Sequence, residues 1–112
     1  MNTDEPEKDW KLRLRYGRLE TPYRHYTVIA EGVVSEEIAD LQCPAGKAFM
    51  AMKAWAASAD ESADMIQAVG EQMGFTVTGR IHIYQTEPTR PPGPDPFGYD
   101  VNFTPFGADD ST

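Results

Sequence analysis

The fold depends on how one stretch is divided, KAFMAMKAWAASADESADMIQAVGEQMGF at residues 47–75. It contains SADE at residues 58–61, a capping box in which the serine hydroxyl and the glutamate carboxylate bond backbone N–H groups at the start of a helix. Apolar residues then recur at helical spacing, and Gly74 is typical of the residue that ends a helix. The stretch therefore predicts an amphipathic helix over residues 59–73.

The residues before the capping box allow two interpretations. Alanine, methionine and lysine are good helix formers, so propensity alone would extend the helix back through residues 47–57. A capping box starts a helix rather than continuing one, so we interpret this segment as a strand. Every second residue from Ala48 to Ala56 would then form a small or flexible face beneath the helix, with Phe49 and Trp55 on the other face.

Alternation with period two predicts further strands, at residues 10–16, 23–34, 75–87 and 99–103. The first two are expected to form a hairpin, and residues 47–87 a right-handed βαβ unit. In the last strand, Tyr99, Val101 and Phe103 are expected to share one side. Together these elements predict an α+β fold with a mixed, mostly antiparallel sheet of four or five strands. One main amphipathic helix packs on one face, in a ferredoxin-like arrangement.

The 112 residues suit one domain, which we place at residues 10–106, between a flexible leader (1–9) and a flexible tail (107–112). Five prolines lie within residues 88–96. Proline lacks an N–H donor and fixes φ, so this segment favours an extended polyproline conformation that rises about 3.1 Å per residue. We expect a stiff strap, on the order of 25–30 Å long, that carries the chain to a distant strand.

Charge and composition restrict the class of protein. The net charge is −8, with a balance of +1 over residues 1–24 and −9 over the rest, which argues against binding to nucleic-acid phosphates. Cys43 is the only cysteine, so an internal disulfide is impossible. No apolar run approaches the ~18 residues of a membrane span, and the acidic start lacks the apolar core of a secretory signal. We therefore expect a cytoplasmic protein that does not bind membranes.

When the residues that alternate with the predicted core positions are taken together, they predict one open sheet face opposite the helix. It would display Lys11, Arg13, Arg15, His25, Thr27, Glu31, Phe49, Lys53, Trp55, Arg80, His82, Tyr84, Asp100 and Asn102. The residues that we expect to bind a ligand or partner are Arg13, His25, Trp55, Arg80, His82 and Tyr84. The alternative is an ordinary solvated sheet face whose opposite charges pair across strands.

For function, we expect a non-enzymatic module that binds a protein partner or a second copy of itself. One concrete version is a small inhibitor or immunity-type protein that neutralises a basic partner, since the acidic balance would steer such a partner. The alternative is a small-molecule binder or small enzyme on the open face around His82, Tyr84, Arg80 and His25. The sequence has no nucleophile elbow, glycine-rich phosphate loop or metal-ligand spacing, so we predict no catalytic residue, metal or cofactor.

Overall fold

The computed structural model describes residues 5–17 and 20–106, which form an α+β fold with one four-stranded sheet. The helices are α1 (Glu5–Arg15) and α2 (Ala59–Met73), with a single 3-10 turn at Ala39–Leu41. The strands are β1 (Arg24–Val34), β2 (Gly46–Ala56), β3 (Phe75–Gln85) and β4 (Phe97–Pro105). Among the described residues, neither helix has the combined length and apolar character needed to cross a membrane.

Helix α2 begins and ends where the capping signals predict. The Ser58 hydroxyl accepts a hydrogen bond from the Glu61 N–H at 3.1 Å, and the Glu61 carboxylate accepts one from the Ala57 N–H at 2.6 Å. Gly74 follows the last turn with φ of 89°, a left-handed conformation that glycine adopts without steric cost. The interpretation of residues 47–57 as a strand is confirmed, since β2 ends at Ala56.

The strand order is β3-β1-β2-β4, and every neighbouring pair is antiparallel, so the sheet is not mixed. Because β2 and β3 are both antiparallel to β1, they run in the same direction with β1 between them. The segment β2-α2-β3, predicted as a βαβ unit, is therefore a split βαβ unit with β1 between its two parallel strands. The order α1-β1-β2-α2-β3-β4 also differs from the β-α-β-β-α-β order of the ferredoxin-like motif, which is not confirmed.

The prediction of a strand at residues 10–16 is wrong, because these residues lie in α1 and the turn that follows it. Trp10 is buried and Leu14 is half-buried, whereas Leu12 and Tyr16 are exposed. Burial thus follows the i, i+4 spacing of a helix and not the period of two. Leucine, lysine and arginine favour a helix, so the alternation was coincidental. The hairpin partner of β1 is consequently β2.

The core forms where alternate strand residues meet α2. It consists of Tyr26, Val28, Ala30 and Val34 of β1, of Ala48, Met50, Met52, Ala54 and Ala56 of β2, and of Cys43, Ile66, Phe75 and Phe103. Ile66 of α2 is fully buried, and Met65, Val69 and Met73 of the same helix pack at the margin of this cluster. The Cys43 thiol lies in the core, and its burial raises its pKa.

The proline strap (residues 88–96) belongs to the connection between β3 and β4, which are the two edge strands of the sheet. The connection therefore has to travel from one edge to the other, a distance of three strand spacings or about 14 Å. The predicted tail (107–112) and the first four residues of the predicted leader (1–9) lie outside the described residues. Residues 5–9 of that leader form the start of α1.

Candidate functional site

The strand residues that alternate with the core positions point away from the core, and we call the surface that they form the outer face. Register pairs bring these residues side by side; Thr27, for example, lies opposite both Lys53 and Tyr84. The outer face consists of His25, Thr27, Ile29, Glu31 and Val33 of β1, Lys47, Phe49, Ala51, Lys53 and Trp55 of β2, Thr76, His82 and Tyr84 of β3, and Phe97, Tyr99, Asn102 and Thr104 of β4. Alternation with Ile81 adds the exposed Arg80 of β3.

A bulge in β4 changes which of its residues reach the outer face. Ala51 and Lys53 are two residues apart on β2, but their partners on β4, Asn102 and Tyr99, are three residues apart. β4 therefore holds one extra residue between these two pairs. Within this bulge Asp100 has φ of 52°, a conformation that aspartate adopts more readily than most residues. The prediction that Tyr99 shares a side with Val101 and Phe103 is therefore wrong.

One end of the outer face lies beneath the proline strap. His25, Trp55 and Tyr99, which we call the covered cluster, are only 4%, 2% and 6% exposed. The indole N–H of Trp55 donates to the backbone oxygen of Arg90 at 2.8 Å, and the backbone N–H of Thr89 donates to the Tyr99 hydroxyl at 3.1 Å. The Arg90 guanidinium lies 5.2 Å from the centre of the Tyr99 ring. The strap is thus bonded to the sheet through the covered cluster.

Hydrogen bonds around His25 assign the proton of its neutral ring to Nδ1. Its Nδ1 lies 3.1 Å from the backbone oxygen of Thr86, which can only accept, so Nδ1 carries the proton. Its Nε2 then accepts from the Tyr99 hydroxyl at 2.7 Å. The Thr86 hydroxyl, 3.1 Å from Nδ1, also bonds the Thr27 hydroxyl at 2.9 Å. A neutral imidazole satisfies both ring nitrogens.

Burial favours this neutral state. The pKa of His25 is lowered, chiefly by desolvation and further by the positive charge of Lys53. The backbone oxygen of Thr86 and the carboxylate of Glu87 act in the opposite direction without reversing the shift. A neutral, fully bonded histidine under the strap links β1 to the connection between β3 and β4.

The rest of the outer face is uncovered by the strap and carries exposed aromatic residues. Tyr84 is 53% exposed and Phe49 is 37% exposed. The Phe49 ring stacks on the ring of Phe106, which follows β4, with centroids 4.4 Å apart. Ile29 and Ala51, a register pair in the middle of the face, are half-buried. This part of the sheet therefore presents apolar groups to its surroundings.

A shallow depression of about 320 Å³ lies beside this apolar region, between β2 and β4. The Lys53 ammonium and the Asp100 carboxylate form an ion pair across it at 3.2 Å. Thr27 and Asn102 add a hydroxyl and an amide to the lining. The depression offers a cation, an anion and neutral hydrogen-bonding groups within a small area.

The six residues predicted to bind a ligand or partner do not form one site. Arg13 lies in the last turn of α1 and is not part of the sheet. His25 and Trp55 are on the outer face, but the strap covers them. Arg80, His82 and Tyr84 lie together on β3, and all three are exposed. Lys11 and Arg15 belong to α1 with Arg13, so they are also absent from the outer face.

The two histidines serve different surroundings. His82 pairs with Ile29, four residues along β1 from His25 and one strand across, which places the two histidines about 14 Å apart. His82 faces solvent, with its Nε2 3.9 Å from a carboxylate oxygen of Glu31. Across residues 5–17 and 20–106, no cluster of three or more histidine, cysteine, aspartate or glutamate residues is arranged to hold a metal ion.

Sequence reasoning missed the residues that fasten the strap, namely Thr86, Thr89 and Tyr99. The bulge at Asp100 decides that Tyr99 faces the strap, and an aspartate in a strand pattern is only a weak signal of a bulge. Comparisons with protein families, curated proteins and solved structures found no match to this chain.

Proposed function

We propose that this chain is a non-enzymatic protein-binding module whose partner docks on the uncovered part of the outer face. The observation that carries the proposal is the exposure of Phe49, Phe106 and Tyr84 on a sheet held rigid by antiparallel pairing. Aromatic side chains supply large contact areas at little cost in conformational entropy, and they dominate the binding energy of protein interfaces. The half-buried Ile29 and Ala51 would continue the contact between them.

Acidic residues elsewhere on the module support a basic partner. Residues 35–46 and 54–79 contain seven acidic residues and no lysine or arginine. The Ser35 N–H and hydroxyl both donate to the Gly74 oxygen, which joins the acidic loop after β1 to the end of the acidic helix α2. The net charge of −8 accelerates encounter with a cationic protein. An inhibitor or immunity-type protein for a basic partner, acting in the cytoplasm, is the concrete form of this proposal.

Affinity capture from the source cells tests the proposal, with the intact chain as bait. A Phe49→Ala/Phe106→Ala variant should lose the partner through faster dissociation. A Leu12→Ala variant is the control, because Leu12 is an exposed apolar residue on α1, away from the outer face. We expect one basic protein that the native chain and the control retain. Capture of the same proteins by all three baits, or of a partner without basic character, would contradict the proposal.

The dependence of the association rate on salt separates the contribution of the acidic residues from that of the exposed phenylalanines. Reversing the charges of Asp60, Asp64 and Glu71 on α2 should slow association and flatten its dependence on ionic strength, with little change in the dissociation rate. The Phe49→Ala/Phe106→Ala substitutions should instead speed dissociation and leave the association rate and its dependence on ionic strength almost unchanged. Association rates that do not change with salt would exclude electrostatic steering.

The depression at Lys53 and Asp100 favours a second candidate, the binding of a small polar molecule on the same face. The alternative site predicted from sequence does not line this depression. Of its residues, His82, Tyr84 and Arg80 lie on β3, and His25 is covered by the strap. Chemical-shift mapping with small zwitterions tests this candidate. Perturbations that centre on Thr27 and Asn102 and vanish in Lys53→Met would support it, whereas perturbations unaffected by that substitution would exclude it.

A further inference from the structure

The two edges of the sheet differ in how they resist pairing with another strand. β4 contains Pro105 and the bulge at Asp100, and Pro96 directly precedes it. Prolines and bulges are the devices with which natural sheets block their edges. β3 has an irregularity opposite Glu31, but its second half, residues 81–85, has neither a proline nor a bulge. Only this half of β3 retains a regular, unblocked edge.

Burial indicates that the side chains along this edge are not covered, and α1 lies beside Glu87 and Pro88, beyond the end of β3. His82, Tyr84 and Gln85 are exposed, and Ile81 and Ile83 are only half-buried although they point to the core side. The two isoleucines therefore leave part of their apolar surface at the rim of the sheet. An uncovered strand edge with unpaired backbone groups and apolar side chains is a ready template for another strand.

We propose that this edge pairs with the same edge of a second copy, antiparallel about a two-fold axis at His82. Residues that lie directly opposite in an antiparallel pair share a face of the sheet. In this register Ile81 lies opposite Ile83 of the second copy on the core side. Arg80, which lies next to the irregularity and just before the regular edge, approaches Tyr84 of the second copy, where a guanidinium can stack on an aromatic ring.

Other registers are less complementary. A register centred on Ile83 sets Ile81 against Gln85 and His82 against Tyr84, which leaves an isoleucine against an amide and Arg80 without an aromatic partner. The register centred on His82 is also self-complementary, as a two-fold interface requires. Because the β4 edge is blocked, assembly stops at a dimer with an eight-stranded sheet and does not continue into a fibre.

This inference does not rest on the proposed function. The stacked pair Phe49 and Phe106 lies on β2 and after β4, on the opposite half of the sheet from the β3 edge. A dimer would therefore leave Phe49 and Phe106 available while it covers Tyr84. Substitutions at Phe49 and Phe106 test the proposed function, and substitutions on β3 test the dimer.

Sedimentation equilibrium of the full chain is the first test. We expect the mass to rise from 12.5 kDa towards twice that value as the concentration increases towards about 1 mM, the weak range expected of a small interface. Ile83→Lys and Tyr84→Lys should each raise the dissociation constant at least about tenfold, since an edge lysine opposes pairing. Thr104→Lys, an exposed position on the β4 edge, is the matched control and should dimerise like the native chain.

Circular dichroism of each variant distinguishes lost pairing from lost folding, and Tyr84→Lys tests the edge without altering a core-side residue. A native chain that stays monomeric at about 1 mM would overturn the inference. So would a dimer that neither lysine substitution on β3 weakens, or one that Thr104→Lys weakens equally.

Oxidative cross-linking tests the register. Only the residue on the axis faces its own copy, so His82→Cys should form a disulfide-linked dimer because directly opposite Cβ atoms lie about 4.5–5.5 Å apart. The native Cys43 is fully buried, so it contributes little background. Ile83→Cys and Thr104→Cys should cross-link at least about tenfold more slowly. Faster cross-linking through either control position than through position 82 would overturn the register centred on His82.

Discussion

Acidification should weaken this fold through His25. The imidazole is neutral in the covered cluster, where Nδ1 donates to the Thr86 oxygen and Nε2 accepts from the Tyr99 hydroxyl. Desolvation lowers its pKa in the folded chain. In the unfolded chain the same imidazole has the ordinary histidine pKa of about 6.5. Between the pKa of His25 in the folded chain and its pKa in the unfolded chain, the unfolded state binds a proton that the folded state does not bind.

The sign and the size of the effect follow from this difference. Stability rises with pH wherever the unfolded state binds more protons, so the contribution of His25 is complete above about pH 6.5 and is lost as the pH falls below it. One proton changes the free energy of unfolding by at most about 1.4 kcal/mol per pH unit. The charged groups beside the covered cluster are Lys53 and Glu87, which act on His25, and Arg90, which lies over the Tyr99 ring.

Urea unfolding, followed by circular dichroism between about pH 8 and about pH 5, measures this slope. His25→Gln should be less stable than the native chain at high pH, and its stability should change less on acidification. His82→Gln is the matched control, because it replaces an exposed histidine and keeps the hydrogen bonds of the covered cluster. Carboxylates that titrate near pH 5 are common to all three proteins, so differences between them isolate the histidine.

Two results would refute this reasoning. The first is an equal pH dependence of unfolding in His25→Gln and in the native chain. The second is a His25 imidazole whose NMR signals titrate at or above the ordinary histidine pKa, which would mean that the strap favours the charged form. If the pH dependence of the unfolding free energy instead disappears in His82→Gln, the effect comes from His82 and not from His25.

Three further substitutions test the elements that position the outer face, each by urea unfolding at neutral pH. Tyr99→Phe removes the hydroxyl that joins the covered cluster to the strap and should cost about 1–3 kcal/mol, whereas Tyr23→Phe removes an exposed hydrogen bond to the strap and should cost less. Ser58→Ala should cost about 1 kcal/mol by removing the cap of α2, and Ser58→Asp should restore most of it. Ile66→Ala should cost about 2–5 kcal/mol because the side chain is fully buried, with the exposed Gln67→Ala near zero. Equal losses within any of these pairs would contradict the assignment behind it.

Local signals were sufficient where a single short motif carries the information. The capping box at residues 58–61 and Gly74 determined both ends of α2, and they separated β2 from it even though β2 is rich in helix formers. The alternation in β3 was equally clear. These features depend on contacts between residues close in sequence, so the sequence pattern contains them.

Other features depend on contacts that no local pattern records. The segment around Leu12 matches both a strand and a helix period, and burial of Trp10 decided between them. The strand order depends on which strand β3 joins after α2 and which strand β4 joins after the strap. The prolines predicted a stiff connection, but the side of the sheet that it covers depends on backbone atoms of Thr89 and Arg90 bonding to distant side chains.

The strap also changes how substitutions on the outer face should be interpreted. His25 has the residue type and the polar partners of a catalytic histidine, yet both ring nitrogens are occupied by groups that hold the strap in place. Replacing His25 would break these bonds and would expose Trp55, so any loss of binding would report a displaced strap. A substitution at Phe49, which is exposed and lies outside the proposed dimer edge, does not carry this ambiguity. A loss of partner binding that occurs with Phe49→Ala at unchanged stability is therefore stronger evidence for a functional surface than any loss caused by changing the buried histidine.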